Sequence, residues 1–315
     1  MADREFENKK ADHNMMPESI EGVQKGLSRE GYVADRGLAT VVYLAFKLNK
    51  PLFLEGEPGV GKTELARVLA EMGKVELIRL QCYEGLDAHA ALYEWNYAKQ
   101  LLTIRMMERE KKSSREMGPE IFGTDFLIER PLLKAIRAEQ NGAPVLLIDE
   151  LDRADEEFEA FLLEFLGEFQ ITIPEVGTLK ATRPPLVVLT SNRTRDVHDA
   201  LKRRCLYHWI DLPSFEKELA IVKAKAPEAG PELTRQVTAF MQKIRQAGLV
   251  KRPGVSETLD WAQALVLLGA DSLDKENVDA TLGCILKHQE DLRWFRSRHW
   301  QDKEARAAFL AALNA

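Results

Sequence analysis

Residues 51–70 read PLFLEGEPGVGKTELARVLA: a strand, a glycine-bracketed loop and a helix. The loop Gly56, Glu57, Pro58, Gly59, Val60, Gly61, Lys62 and Thr63 fits the pattern G-x-x-x-x-G-K-[ST]. Gly56, Gly59 and Gly61 permit turns that a Cβ would hinder, so successive N–H groups can point into one concavity. Lys62 supplies a point charge for the β- and γ-phosphates, and the Thr63 hydroxyl is suited to hold Mg²⁺. The helix that begins there, with Glu64 in its first turn, aims its positive end at the same anion. The stretch reads as a nucleotide-binding loop, with Gly56 to Glu64 as contact residues and ATP and Mg²⁺ as ligands.

A second stretch fits the first. Residues 144–150, PVLLIDE, hold a continuous apolar run followed by two carboxylates. Such a run is what a strand buried on both faces of a parallel sheet requires. Open α/β sheets bind ligands at the carboxyl ends of their strands, where Asp149 and Glu150 emerge. Asp149 is placed to bind Mg²⁺ through water, and Glu150 to polarise an attacking water. Residues 186–190, LVVLT, form another buried strand that ends in Ser191 and Asn192, and Asn192 is placed to orient that water or to touch the γ-phosphate.

Between these strands the chain is readable in pieces. A helix is expected over 34–47, a strand over 75–80, an irregular insertion over 81–128 with a helical stretch near 92–110, and a helix over 132–139 ended by the turn residues 141–144. Gly31-Tyr32 fits either a contact to a nucleotide base or an ordinary turn. Over 151–169, Phe158, Phe161, Leu162, Phe165, Leu166 and Phe169 share one helical stripe, which marks them as core. Residues 169–181 alternate around a turn at 174–177 and read as a β-hairpin. The segment 199–205, DALKRRC, precedes a closing strand at 207–212, which suggests that Arg203 and Arg204 sit at the rim of the nucleotide-binding face. Beyond residue 213 only helical periodicity remains, over 215–224, 233–247, 256–268 and 277–289. The aromatic and basic tail around 293–300 packs a terminal helix or docks a partner. The expected organisation is a loosely ordered N-terminus (1–17), an α/β nucleotide-binding domain (18–212) and an all-α lid domain (213–315).

The chain has 315 residues, 45% of them hydrophobic and 30% charged, enough for a sizeable core. A net charge of −6 without a long basic block argues against a dedicated nucleic-acid binder. The densest basic run, residues 111–115, reads as a solvated loop. No apolar run approaches the roughly 20 residues of a membrane span. The charged N-terminus is unlike a signal peptide. Cys82, Cys205 and Cys284 are too scattered for a disulfide framework, and neither they nor the histidines show metal-ligand spacing. The chain reads as cytoplasmic, with no structural metal.

The ordered set is a phosphate loop, Asp149-Glu150, a strand-end Asn192, an Ala-Leu-x-Arg-Arg segment and a helical lid. It resembles the AAA+ ATPases over about residues 20–290. The resemblance implies an AAA+ phosphate-loop NTPase with a parallel sheet core, in which Asn192 is sensor 1 and Arg203 or Arg204 reaches into a neighbouring subunit's site. The insertion before Pro131 and the hairpin are similar to the helix-2 insert and pre-sensor hairpin of the clade that includes MoxR proteins, magnesium chelatase subunits, dynein and the MCM helicases. The phrases GEPGVGKTELA and LLIDELDRADEEFEAFLLEFL look most like MoxR proteins, and SETLDWAQAL resembles the CoxD-type branch. This likeness implies a chaperone-like ATPase in a homo-hexameric ring, working with a von Willebrand factor A domain partner. Its client would be a metalloenzyme such as a molybdenum–copper carbon monoxide dehydrogenase. One position departs from the pattern: Thr258 stands where a sensor 2 arginine is expected, with Arg252 as a nearby substitute. Three other readings stay open, namely a small-molecule kinase, a helicase-like DNA motor and a nucleotide-gated switch with little turnover.

Overall fold

The computed structural model describes residues 17–109, 121–138, 142–300, 304 and 307. The polar N-terminus through residue 16, the basic run at 111–115 and Asn141 lie outside them. Among the described residues the chain gathers into two compact units. One holds those up to Gly26, Arg36–Glu55 and Leu65–Trp209; the other holds Leu27–Asp35, Gly56–Glu64 and those from Ile210 onward.

The first unit is built on a five-stranded sheet. Its strands are β1 (Leu52–Gly56), β2 (Leu77–Gln81), β5 (Val145–Asp149), β8 (Leu186–Ser191) and β9 (Leu206–Ile210). They lie in the order β2-β5-β8-β1-β9. β1 pairs with β8, β8 with β5 and β5 with β2, all parallel. Every residue of β1, β5 and β8 is buried, so their apolar runs are covered on both faces. β2 lies at an edge and alternates: Ile78 and Leu80 are buried while Arg79 is exposed. That alternation places Arg79 and Gln81 on one face.

The phenylalanine stripe behaves as core. Helix α7 (Glu156–Glu168) starts at the N-cap Asp155, whose carboxylate accepts from the Phe158 N–H at 2.9 Å. Phe158, Leu162 and Phe165 are buried, and Phe161 and Phe169 pack at the margin. The hairpin follows as β6 (Gln170–Ile173) and β7 (Gly177–Lys180), antiparallel in the register Gln170↔Lys180.

Some elements differ from expectation. Helix α1 (Ile20–Arg29) forms where no element is read from sequence, helix α2 covers Arg36–Leu48, and helix α6 covers Pro131–Arg137. The stretch expected as one helix near 92–110 is broken. It comprises helix α4 (Ala88–Leu92), strand β3 (Tyr93–Trp95) and helix α5 (Tyr97–Arg109). β3 pairs antiparallel with β4 (Leu127–Glu129), and Tyr93 turns into the core while Glu94 turns out. A three-residue strand is too short to announce its period against the helical stretch that follows it.

The helical C-terminal region carries α9 (Phe215–Lys225), α10 (Pro231–Arg245), α11 (Val255–Leu267), α12 (Lys275–Ile285) and α13 (Gln289–His299). Phe240, Trp261 and Phe295 meet in its core, with ring centroids 4.7 and 5.5 Å apart. The Trp261 indole N–H donates to Thr281 Oγ1 at 2.7 Å, which satisfies its buried polar atom. The aromatic tail is used for packing: Phe295 is fully buried, and Trp294 and Trp300 lie against the same cluster. No described helix is long and apolar enough to cross a membrane.

Candidate functional site

The carboxyl edge of the sheet gathers the acidic residues. Asp149 ends β5 almost fully buried. Its Oδ1 accepts from the Thr190 hydroxyl at 2.6 Å, and its Oδ2 accepts from Arg79 Nη2 at 2.6 Å and Nε at 3.1 Å. Glu150 follows in a left-handed conformation, φ 55° and ψ 50°. A non-glycine residue held there carries strain of about 1–3 kcal/mol, which structures retain where a side chain must be aimed. The Glu150 N–H donates to Thr190 Oγ1 at 2.9 Å, so a single hydroxyl braces both acidic residues.

The Glu150 carboxylate accepts from Gln81 Nε2 at 3.0 Å, from Arg153 Nη1 at 3.1 Å and from Asn192 Nδ2 at 3.5 Å. The sheet therefore brings Asp149, Glu150 and Asn192 together, and Asn192 is fixed by its backbone. Its N–H donates to Asp152 Oδ1 at 3.1 Å, and Asp152 Oδ2 takes the Thr194 N–H and hydroxyl. Burial works to raise the Asp152 carboxyl, but these bonds outweigh it and hold the group below its ordinary range.

The phosphate loop belongs by packing to the other unit. Gly56 has no room for a side chain: a Cβ there would stand 2.3 Å from the Ile210 carbonyl oxygen. Gly59 has φ +77°, and its carbonyl accepts from the Val255 and Ser256 N–H groups, both at 3.1 Å. Those N–H groups open α11 and would otherwise lack intrahelical partners. Tyr32 donates from its hydroxyl to the Gly61 carbonyl at 3.3 Å, and burial pushes its own pKa up. This buried tyrosine is a brace for the loop. Lys62 Nζ donates to the Gly56 and Glu57 carbonyls at 2.7 and 2.8 Å. Glu64, at the start of α3 (Lys62–Gly73), pairs with Lys225 at 2.7 Å.

Arg203 and Arg204 require a correction. They end helix α8 (Asp199–Arg204), and the next strand, β9, begins with the Leu206 N–H donating to the Pro51 carbonyl just before β1. The pair therefore lies at the amino edge of the sheet, opposite the edge that carries Asp149, Glu150 and Asn192. About 13 Å along the strands separates the two groups, with three strand spacings, about 14 Å, across the sheet to Asp149 and Glu150 and two, about 10 Å, to Asn192, beyond a side chain's reach. A residue that precedes a parallel strand cannot stand at that strand's carboxyl end. The two arginines also differ from each other. Arg204 donates to the Leu163 carbonyl near the end of α7, where a cation suits the helix dipole. Arg203 is exposed and without a partner among the described residues. Both line an open cleft of about 900 Å³ with Asn49, Lys50, Glu164 and Glu168.

Thr258 is fully buried. Its hydroxyl donates to Glu218 at 2.6 Å and accepts from Arg245 Nη2 at 2.9 Å. Arg252 is exposed. The SETLD phrase is thus spent on opening α11 and on this buried network.

Sequence reasoning missed Arg79, Gln81, Arg153 and Thr190. The first two carry a signal, since they are polar residues two apart at the end of an apolar strand. The pairing of β2 with β5 that gives them meaning is not local. Among the described residues no group of three or more His, Cys, Asp or Glu could cage a metal. Mg²⁺ does not need such a cage, because it binds through one or two carboxylates plus substrate phosphates. Asp149, accepting from a hydroxyl and a guanidinium, has the chemistry of that carboxylate. Burial, then the field of Asp149, pushes the nearby Cys82 thiol up to about 12, so it is no thiolate nucleophile at neutral pH.

Residues 51–205 match the family model of the AAA domain, dynein-related subfamily. With the observed strand order, this makes the fold an AAA+ phosphate-loop fold with a parallel sheet core and a helical C-terminal region. An uncharacterized protein of Staphylococcus epidermidis is 23% identical over 227 residues, covering 70% of this chain and 77% of that protein. One of Staphylococcus aureus is 25% identical over the same shares. Among solved structures, the RuvB Holliday junction branch migration motor of Thermotoga maritima aligns over 85% of this chain and 72% of its own, at 16% identity and a TM-score of 0.43. Domain III of the replication initiation protein DnaA of Thermotoga maritima aligns over 82% and 96%, at 15% identity and a TM-score of 0.44.

Proposed function

We propose that the chain is an ATP-hydrolysing motor of the MoxR type that works as a homo-oligomeric ring, a hexamer by analogy with its kin. Lys62, Thr63 and Asp149 hold Mg·ATP, Glu150 activates the attacking water and Asn192 positions it. Mg²⁺ supplies charge neutralisation of the β- and γ-phosphates when bound. Arg203 acts in trans on a neighbour's nucleotide, while Arg204 holds α7 and orients its neighbour. One observation carries this reading: among the described residues Arg203 has no partner, at the amino edge of the very sheet whose carboxyl edge carries Glu150. An arginine so placed has no use in its own site. The cleft beside it is open to a second copy.

ATPase rate against protein concentration, with mass read in parallel, tests the proposal. Turnover per subunit rises as the ring forms, and Glu150→Gln binds ATP but loses about 10²–10⁴ in rate. Arg203→Ala loses about 10³–10⁵ in the assembled protein and Arg204→Ala far less. Flat turnover from a monomer overturns the ring and leaves a kinase of the same loop as the better account.

The client role rests on the likeness of GEPGVGKTELA and the 146–166 phrase to MoxR proteins, and the CoxD-type branch on SETLDWAQAL. It entails a von Willebrand factor A domain partner and a metalloenzyme client, with a molybdenum–copper carbon monoxide dehydrogenase as first candidate. Helix α5 supports action on a protein, since it exposes Tyr97, Leu101, Leu102 and Met106 to solvent at 58–65%. A net charge of −6 speaks against a DNA motor. A nucleotide-gated switch is the second reading. It is favoured by Thr258, whose buried hydroxyl is committed to Glu218 where an arginine would sense the γ-phosphate.

A further inference from the structure

The turn that carries Asn192 is shaped by side chains. β8 stops at Ser191, and Arg193 takes a left-handed φ of 57°. The three successive N–H groups of Asn192, Arg193 and Thr194 end on Asp152 Oδ1, Ser191 Oγ and Asp152 Oδ2, at 3.1, 2.9 and 2.9 Å. The Thr194 hydroxyl adds a fourth bond, to Asp152 Oδ2 at 2.6 Å. Farther along, Glu159 takes the His198 N–H at 2.7 Å and an N–H of Arg195. Both acids are buried, at 3% and 1% exposure. Asp152 lies in the short helical turn Leu151–Arg153, two residues beyond Glu150. One turn of chain therefore carries the proposed base and also grips the residue that faces it.

We infer that Asp152 is a positioning residue for Asn192, whose carboxylate sets the gap between the Asn192 amide and the Glu150 carboxylate. The inference rests on the proposed roles of Glu150 and Asn192 in hydrolysis. Its ground is donor counting. A carboxylate only accepts, and Asp152 meets three donors from this one turn. The bond to Asn192 is to its backbone, so it places the whole residue rather than a rotamer. An asparagine at 152 would bring an NH₂ group: in either orientation the Asn192 or the Thr194 N–H then faces a donor. The turn must open, and a left-handed Arg193 persists only while its surroundings over-determine it. The margin is small, because Asn192 Nδ2 stands 3.5 Å from Glu150 Oε1, at the outer limit of a hydrogen bond. Asp152 itself touches neither nucleotide nor water in this scheme; its effect passes through Asn192.

The test is a double-mutant cycle on the full chain, with Asp152→Asn, Asn192→Ala and both together. ATPase rate and the affinity of a fluorescent ATP analogue, mant-ATP, are read in saturating Mg²⁺, with mass in parallel. Asp152→Ala is a harsher companion, and denaturant titration confirms that each variant folds. Asp152→Asn is expected to lower kcat by about 10–100-fold, the cost of a misplacement near 1 Å. Its mant-ATP affinity stays within about twofold, since nothing that binds the ground state has changed. The double variant is no slower than Asn192→Ala, because moving an absent amide costs nothing. Losses that multiply in the double variant overturn the inference. So does a fall in affinity that matches the fall in kcat, which marks Asp152 as a general structural residue. If Glu150→Gln turns over ATP as fast as the unaltered protein, the proposed function falls and takes this inference with it. If Glu150→Gln is inactive while Asp152→Asn keeps its kcat, the inference alone falls.

Discussion

Two arginine–carboxylate pairs in this chain have the same chemistry and opposite surroundings. In the helical C-terminal region Arg245 meets Glu218 through two bonds of 2.6 and 2.7 Å, with side chains 6% and 0% exposed. Each of the three guanidinium nitrogens finds a partner: Arg245 also reaches the Pro253 and Gly254 carbonyls and Thr258, while Gln242 donates to Glu218. At the sheet edge Arg79 meets Asp149 with comparable distances but half its side chain in water. An enclosed pair has no alternative partner and can only hold structure. A pair open on one side can exchange a partner for water. Enclosure, not distance, separates the fixed joint from the open pair.

The largest effect lies with the enclosed pair. Arg245→Ala leaves Glu218 buried and charged without its counter-ion, which costs about 3–5 kcal/mol of stability by denaturant titration. A loss below about 1 kcal/mol would mean that water enters the network, and the contrast with Arg79 would disappear.

A smaller effect comes from removing both charges. Glu218→Leu with Arg245→Met spares the protein an uncompensated ion, and in a plain buried pair that exchange is close to neutral. Here the Pro253 and Gly254 carbonyls and the Thr258 hydroxyl lose a donor, so the double variant stays destabilised by about 1–3 kcal/mol, less than Arg245→Ala. Full recovery of stability would show that the carbonyl bonds contribute nothing and that the pair alone is the joint.

These pairs also mark what the sequence discloses. The phosphate loop, the Asp149-Glu150 strand end, the Phe158–Phe165 stripe and the hairpin are local patterns whose residues lie within one element or one turn, and each is legible as written. Arg79 is not, because its meaning comes from β2 lying beside β5, across a sequence separation of 70 residues. Arg245 and Glu218 are 27 residues apart on different helices, and nothing in either helix's period marks them. The rim position expected for Arg203 and Arg204 failed for the same reason. The closing strand is recognisable in the sequence, but the edge at which it begins follows from its bond to Pro51. Tyr93–Trp95 was obscured because its partner strand, Leu127–Glu129, lies at the far end of the insertion. Local chemistry can be read along the chain, whereas pairing has to be seen.

The smallest effect is the one that most directly sets the open pair against the enclosed one. Arg79→Ala removes two bonds to Asp149, but Thr190 still donates to Oδ1 and solvent reaches the space that the guanidinium leaves. With Arg79 half-exposed, the pair contributes at most about 1 kcal/mol, and less in salt because exposed charges are screened. The stability difference between Arg79→Ala and the unaltered protein should therefore shrink as NaCl rises from about 0.05 to 0.5 M, beyond which the Debye length is only a few ångströms. The Arg245→Ala difference should not change over that range, because no counter-ion enters a closed network. If both differences shrink together, the Arg245 network breathes and enclosure is not what distinguishes the pairs. If neither does, Arg79 is held as firmly as Arg245 and exposure is not what sets the two pairs apart.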